Sequence, residues 1–218
     1  LAARPSIGKT ALALDFARQI GIWQKVPVGI FSLEMSSDQL VDRMLSSQSG
    51  VDLWRLRTGR LKSGQGDDDF ERIGEAMGIL SEAPIFIDDA GSANVMEMRT
   101  MSRRLQAEHN VGLIIIDYLQ LMEGRFGGDN RVNEISEISR SLKQLAREIN
   151  IPIIALSQLS RGVEQRDVKI PRLADLRESG SIEQDADIVL FLYRKDRDKM
   201  NPSPEDQNTT EIIVAKHR

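Results

Sequence analysis

Five stretches of the chain are almost wholly apolar, and amphipathic segments separate them. "PVGIFSL" (27–33), "PIFIDD" (84–89), "GLIIIDYLQLM" (112–122), "IPIIALSQ" (151–158) and "ADIVLFLYR" (186–194) predict buried strands. Runs without polar alternation suit parallel strands covered on both faces. "TEIIVAK" (210–216) predicts a last strand at an antiparallel edge. Between the strands, residues 9–20 predict a helix with Leu12, Phe16 and Ile20 on one face and Gly21 as its stop signal. "SSDQLVDRML" opens on Ser36 with Gln39 three residues on, a capping-box pattern. Over 133–149, Ile135, Ile138, Leu142, Leu145 and Ile149 recur at helical spacing. Strand–helix alternation of this kind implies an α/β sheet with crossover connections. No internal repeat is visible.

Three polar stretches break the pattern. "KSGQGDDD" (62–69) is a short interruption, whereas "EGRFGGDNR" (123–131) and "SRGVEQRDVKIPR" (160–172) directly follow strands. Ligands in open α/β sheets bind at the carboxyl ends of strands. These two loops are therefore placed for function, unless they are only solvated connections.

Composition narrows the classes. A chain of 218 residues with 40% hydrophobic content can build a sizeable core, as one large domain or two small ones. It has no cysteine and two histidines, which excludes a disulfide framework and a thiolate metal site and disfavours a histidine one. No apolar run approaches the roughly 18 residues of a membrane span, and the expected compartment is the cytosol. A net charge of −4 means that any polyanion contact is made by a few arranged groups, not by the overall field. Leu1 and Ala2 already stand at the threshold of a loop, and "VAKHR" (214–218) is still strand-like. The expectation is one domain over 1–218, truncated at both ends, with its first strand largely missing.

The chemistry is concentrated at strand ends. "ARPSIGKT" (3–10) has the spacing of a phosphate loop, G-x-x-x-x-G-K-[ST], with Ala3 in place of the first glycine. Gly8 lets the backbone approach phosphate oxygens, and the N–H groups of Arg4, Ser6 and Ile7, on either side of Pro5, which has none, can form an anion nest. Lys9 supplies a charge for terminal phosphates, Thr10 offers a hydroxyl to Mg²⁺, and the following helix adds its positive end. Asp117 ends a buried strand, where a carboxylate is costly unless a cation or hydrogen bonds offset it; it suits Mg²⁺ opposite Thr10 or, more blandly, a turn cap. Glu34 ends the strand after the phosphate-loop helix, as a hydrolytic base or a cap of the helix near Ser36. Gln158 ends another strand, either sensing a γ-phosphate or as an ordinary strand end. Lys216 and Arg218 share one face of an extended tail, His217 the other. They suit an arginine finger acting on a neighbouring subunit's nucleotide, or a solvated strand end.

"ARPSIGKT", "FSLEMS", "IIIDYLQLM", "LSQLSR", "DLRESGSIEQDADIV" and "AKHR" occur in this order. Together they resemble the DnaB-type replicative DNA helicases, specifically their C-terminal RecA-like motor domain, and the resemblance covers essentially the whole chain. Alanine at the first phosphate-loop position is normal in that family. The resemblance implies an ATP-driven homohexameric ring with nucleotide at subunit interfaces, encircling single-stranded DNA and unwinding the fork. It implies primase and a helicase loader as partners. Residues 3–10 would hold ATP, Thr10 and Asp117 the Mg²⁺, Glu34 would be the catalytic base, Gln158 the coupling residue, and Lys216 and Arg218 would act in trans. Arg177, Glu178 and Gly180, in "LRESG", match a loop that touches the DNA backbone. Two other readings compete: a phosphotransferase acting on a small molecule, and a non-catalytic ATP-binding assembly or loading module.

Overall fold

The computed structural model describes residues 1–64, 68–89, 94–124, 131–166, 168–197, 203, 205–207 and 209–218, with the side chains of 177–179 excepted. In chain order the elements are β1 (Ala2–Ala3), α1 (Lys9–Gln19), β2 (Val28–Ser32), α2 (Ser37–Ser49), α3 (Leu53–Thr58), α4 (Asp69–Ser81) and β3 (Ile85–Asp88). They continue with α5 (Val95–His109), β4 (Leu113–Asp117), α6 (Arg131–Ile149), β5 (Ile153–Ala155), β6 (Ser157–Gln158), α7 (Gly180–Asp185), β7 (Ile188–Tyr193) and β8 (Glu211–His217).

The strands form two hydrogen-bonded sets, β3-β2-β4-β5 and β6-β1-β7-β8. Only Leu156 separates β5 from β6. Its N–H donates to Ile116 O and its C=O accepts from Leu119 N–H, each at 2.9 Å, so the layer continues through it. All pairings are parallel except β7–β8, the expected antiparallel edge. Register aligns the strand tips: Ser32 pairs with Asp117, and Ala3 with Gln158. The carboxyl ends of β1, β2, β4 and β6 therefore form one rim.

Burial explains the continuous apolar runs. All five residues of β4 are buried. Leu113 and Ile115 pack with Ala13, Leu14, Ala17, Leu40 and Met44 from α1 and α2. Ile114 and Ile116 pack with Ile135, Ile138, Leu142, Leu145 and Ile149 of α6, the five positions given by the helical spacing. A period of two within an all-apolar strand thus serves two helical layers at once.

The structure departs from the sequence pattern at several points. The buried face of α1 is Ala13, Leu14 and Ala17, not Leu12, Phe16 and Ile20, which are only half-buried. Small side chains bring the helix close to the sheet, which an apolar-size count overlooks. Gly21 does not stop the helix. A π-helical turn, Ile20–Gln24, carries on to Lys25, and a Cβ on Gly21 would stand 2.9 Å from Ile85 Cγ1, so this glycine serves close packing. Ser36 is the N-cap of α2 but makes no side-chain cap bond; Asp89 Oδ2 instead accepts from Ser37 N–H at 2.5 Å. The strand in 112–122 ends at Asp117, after which Leu119–Leu121 form a 3₁₀ turn. The 160–172 stretch contains another 3₁₀ turn, Arg161–Gln165. Residues 65–67 and 125–130 of the other two polar stretches lie outside the described residues.

Candidate active site

The phosphate loop takes its shape from two left-handed residues, Ser6 (φ 61°) and Gly8 (φ 110°). A Cβ on Gly8 would meet nothing within 4 Å, so the demand for glycine comes from backbone angle alone. Ala3, in contrast, is an extended residue of β1 paired with Gln158, and 1% exposed. Extended backbone asks for no glycine, which is why alanine serves there. Gly8 caps α1 without a side-chain bond, leaving the first-turn N–H groups directed into the loop. Arg4 braces the loop from outside, donating to Leu159 O at 2.7 Å and pairing with Glu164 at 2.8 Å.

Lys9, Thr10 and Asp117 meet at its centre. Thr10 Oγ1 donates to Asp117 Oδ2 at 2.6 Å, and Lys9 Nζ stands 3.5 Å from Asp117 Oδ1. Asp117 is 3% exposed, and its Oδ1 is buried with no hydrogen-bond partner. Lys9 Nζ also lies 4.2 Å from the centre of the Tyr118 ring. Burial lowers the Lys9 pKa from its ordinary value, opposed by the charges of Asp117 and then Glu34. Burial raises that of Tyr118, with Glu34 and Asp117 adding to it. A hard hydroxyl–carboxylate pair with one orphaned oxygen fits Mg²⁺. Among the described residues no cluster of three or more His, Cys, Asp or Glu could hold a metal alone. An ion here would complete its shell with phosphate oxygens and water, as Mg²⁺ does at nucleotide sites.

Of the other expected residues, Glu34 and Gln158 stand at the tips of β2 and β6 on this rim, whereas Lys216 and Arg218 lie beside the start of β7, at the sheet's other end. Glu34 follows the end of β2, is exposed, and acts electrostatically on Lys9 and Tyr118. The cap of α2 is supplied by Asp89, so Glu34 is not spent there. Gln158 ends β6 next to Ala3, and its side-chain amide makes no hydrogen bond among the described residues. Lys216 is committed within its own chain: Nζ donates to Glu183 O (2.6 Å), Ala186 O (2.7 Å) and Gln184 O (3.4 Å), closing the end of α7. Arg218 is exposed; after Lys143 and Arg147, its charge helps to hold the Asp187 pKa down. Arg177 and Glu178 lie on the 3₁₀ turn Leu173–Ser179 that leads into α7, but their side chains lie outside the described ones. Gly180 is exposed at the junction. A cleft of about 330 Å³ beside the loop is lined by Arg4, Ser6, Glu164, Tyr193 and Arg194.

Sequence reasoning missed Tyr118 and Gln120. Both lie in "DYLQ", immediately after the strand-tip acid, and an aromatic and an amide at that place were the available signal.

A parallel sheet with a phosphate loop after β1 and a strand-tip acid opposite its threonine defines a RecA-like P-loop ATPase core. The chain belongs to the DnaB-like helicase C-terminal domain family, whose model matches residues 1–218. It is 53% identical to the replicative DNA helicase DnaB of Geobacillus stearothermophilus, over all of this chain and 47% of that protein. The chain thus spans about half the length of the curated relatives it matches. A solved structure titled as an ATPase domain superposes with a TM-score of 0.91 at 40% identity, over all of this chain and 75% of that one. A structure titled as a DnaB-like replicative helicase and its interactions with primase superposes with a TM-score of 0.92 at 40% identity, over all of this chain and 52% of that one. The phosphotransferase and non-catalytic readings are not favoured by these relatives.

Proposed function

We propose that residues 1–218 form one motor domain, which binds ATP and Mg²⁺ and drives a ring-shaped replicative helicase along single-stranded DNA. The observation that carries this reading is the 2.6 Å bond from Thr10 to Asp117, with Lys9 on the same carboxylate. Lys9 and the loop amides hold the β- and γ-phosphates. Thr10 and Asp117 hold the Mg²⁺, which supplies charge neutralisation when bound. Glu34 orients and deprotonates the attacking water from the β2 tip. Gln158 meets the γ-phosphate from the β6 tip.

Lys216 and Arg218 complete the neighbouring subunit's pocket in a homohexamer. Arg218 is exposed and ready for that role, whereas Lys216 must exchange its grip on α7 for a phosphate. Arg177, Glu178 and Gly180 face the DNA backbone, through main-chain amides and the guanidinium rather than by base readout. The Glu178 carboxylate would repel phosphate, so its backbone or its hold on Arg177 makes the contact. The partners are single-stranded DNA, identical subunits, primase and a loader, and the compartment is the bacterial cytosol.

The test is ATP hydrolysis and strand separation by the full-length parent protein, with and without single-stranded DNA. DNA-stimulated hydrolysis that Glu34→Gln abolishes while nucleotide still binds is the expected result. Turnover that DNA does not alter, or that Glu34→Gln leaves unchanged, overturns the reading.

A further inference from the structure

Gln120 takes the place of a missing strand. β4 pairs with β5 as far as Ile116–Ala155, and the chain then leaves the sheet after Asp117. Beyond this point β6 has β1 on one side, with Ser157 N–H donating to Leu1 O and Leu159 N–H to Ala3 O. On the other side Gln158 would face an empty ladder position. The Gln120 side chain fills it. Its Oε1 accepts from Gln158 N–H at 3.1 Å, and its Nε2 donates to Gln158 O at 3.1 Å and to Ser157 Oγ at 2.9 Å. One primary amide thereby makes both bonds that a neighbouring strand would make.

The turn carrying Gln120 is itself held. Leu119 N–H donates to Leu156 O at 2.9 Å. Arg131 Nη2, from the start of α6, donates to Gln120 O at 2.6 Å and Met122 O at 3.1 Å. Asp117 and Gln120 are three residues apart on this braced segment, so the metal carboxylate and the β6 tip share one rigid connection. The Gln158 backbone is fixed from both sides, while its own side-chain amide makes no hydrogen bond among the described residues.

We infer that Gln120 is a positioning residue for hydrolysis: it sets the Gln158 tip against Asp117, so that Gln158 meets the γ-phosphate at a fixed distance from the metal site. This rests on the reading of Gln158 as the γ-phosphate contact. Among the described residues the Gln120 side chain bonds Ser157 and Gln158 and makes no bond to the phosphate loop or to Asp117. Its loss therefore lowers the rate of the chemical step and leaves ground-state ATP binding, made by the phosphate loop, nearly intact.

The test uses the full-length parent protein with single-stranded DNA present. Steady-state kcat and KM for ATP are measured for wild type, Gln120→Met, Gln120→Glu, Gln158→Ala and the Gln120→Met/Gln158→Ala double variant. Methionine keeps the volume and removes all three bonds; glutamate keeps the acceptor and removes both donors. The expected result is a fall in kcat of about tenfold or more in both Gln120 variants, with KM within about threefold. The double variant should be no slower than Gln158→Ala alone, because both changes remove one function. Gln120 variants that keep wild-type kcat while Gln158→Ala loses it overturn the role of Gln120 alone. A rise in KM without loss of kcat, or an additive double variant, also overturns it. A Gln158→Ala protein with wild-type kcat sinks the Gln158 reading, and this inference with it. Should Gln120→Met fail to fold, Gln120→Glu decides the matter by the same readings.

Discussion

Replacing Lys216 with methionine should destabilise the domain even when no neighbour is present. The lysine ammonium donates to three carbonyls at the end of α7, two of them within 2.7 Å. A hydrogen bond to a charged group contributes about 1.5–3 kcal/mol, and a cation at a helix C-terminus about 0.3–1 kcal/mol more. Lys216 is half-buried, so water can replace part of what is lost, and a net cost of about 2 kcal/mol follows. In a domain of this size that cost lowers Tm by about 4–8 °C. Arg218→Met removes an exposed side chain and should move Tm by less than about 2 °C. Scanning calorimetry of the wild-type chain and both variants measures the difference. Equal Tm values for the two variants would refute the view that Lys216 holds α7 in cis. Loss of ATPase in both variants within the assembled ring, alongside the unequal Tm values, would support the exchange of Lys216 between the two sites.

Three further outcomes follow from the geometry. Glu34→Gln should keep nucleotide affinity within about threefold and lose hydrolysis by at least about a hundredfold, read by filter binding and single-turnover assay. Gly21→Val should drive a Cβ against Ile85 and cost about 1–3 kcal/mol, seen as a lower urea midpoint with unchanged m. Arg103 and then Arg99 hold the Glu148 carboxyl below its ordinary pKa. This stability is therefore present above the unfolded value of 4.5 and lost as pH falls through the lowered folded value. Glu148→Gln should flatten the acid side of a Tm–pH curve, and an unchanged acid side would show that the two arginines contribute nothing there.

Much of the fold was legible because buried parallel strands and α6 write their periods plainly. Ile135 to Ile149 could be placed on a core face from spacing alone, and the strand tips carrying Asp117 and Gln158 followed from where apolar runs ended. α1 was misread because Ala13 and Ala17 pack by smallness, not by bulk. The cap of α2 was misread because its acceptor, Asp89, comes from just after β3, 52 residues away, and a local motif cannot register that distance. The same limit applies at the site. Lys9, Thr10 and Asp117 announce themselves by residue type at a strand end or loop. Gln120 matters only because β4 stops where β6 continues, and Lys216 is tied to α7 only because β8 returns beside β7. Both are facts of topology, not of spacing.

The central claim is that Thr10 and Asp117 hold Mg²⁺ against a triphosphate gripped by Lys9 and the loop amides. Its most direct measurement is the affinity of a fluorescent ATP analogue for wild type and Asp117→Asn, each with Mg²⁺ and with excess chelator. The account predicts that Mg²⁺ tightens binding by about tenfold or more in wild type and by less than about twofold in the variant. An Asp117→Asn protein that keeps the full Mg²⁺ enhancement would contradict it.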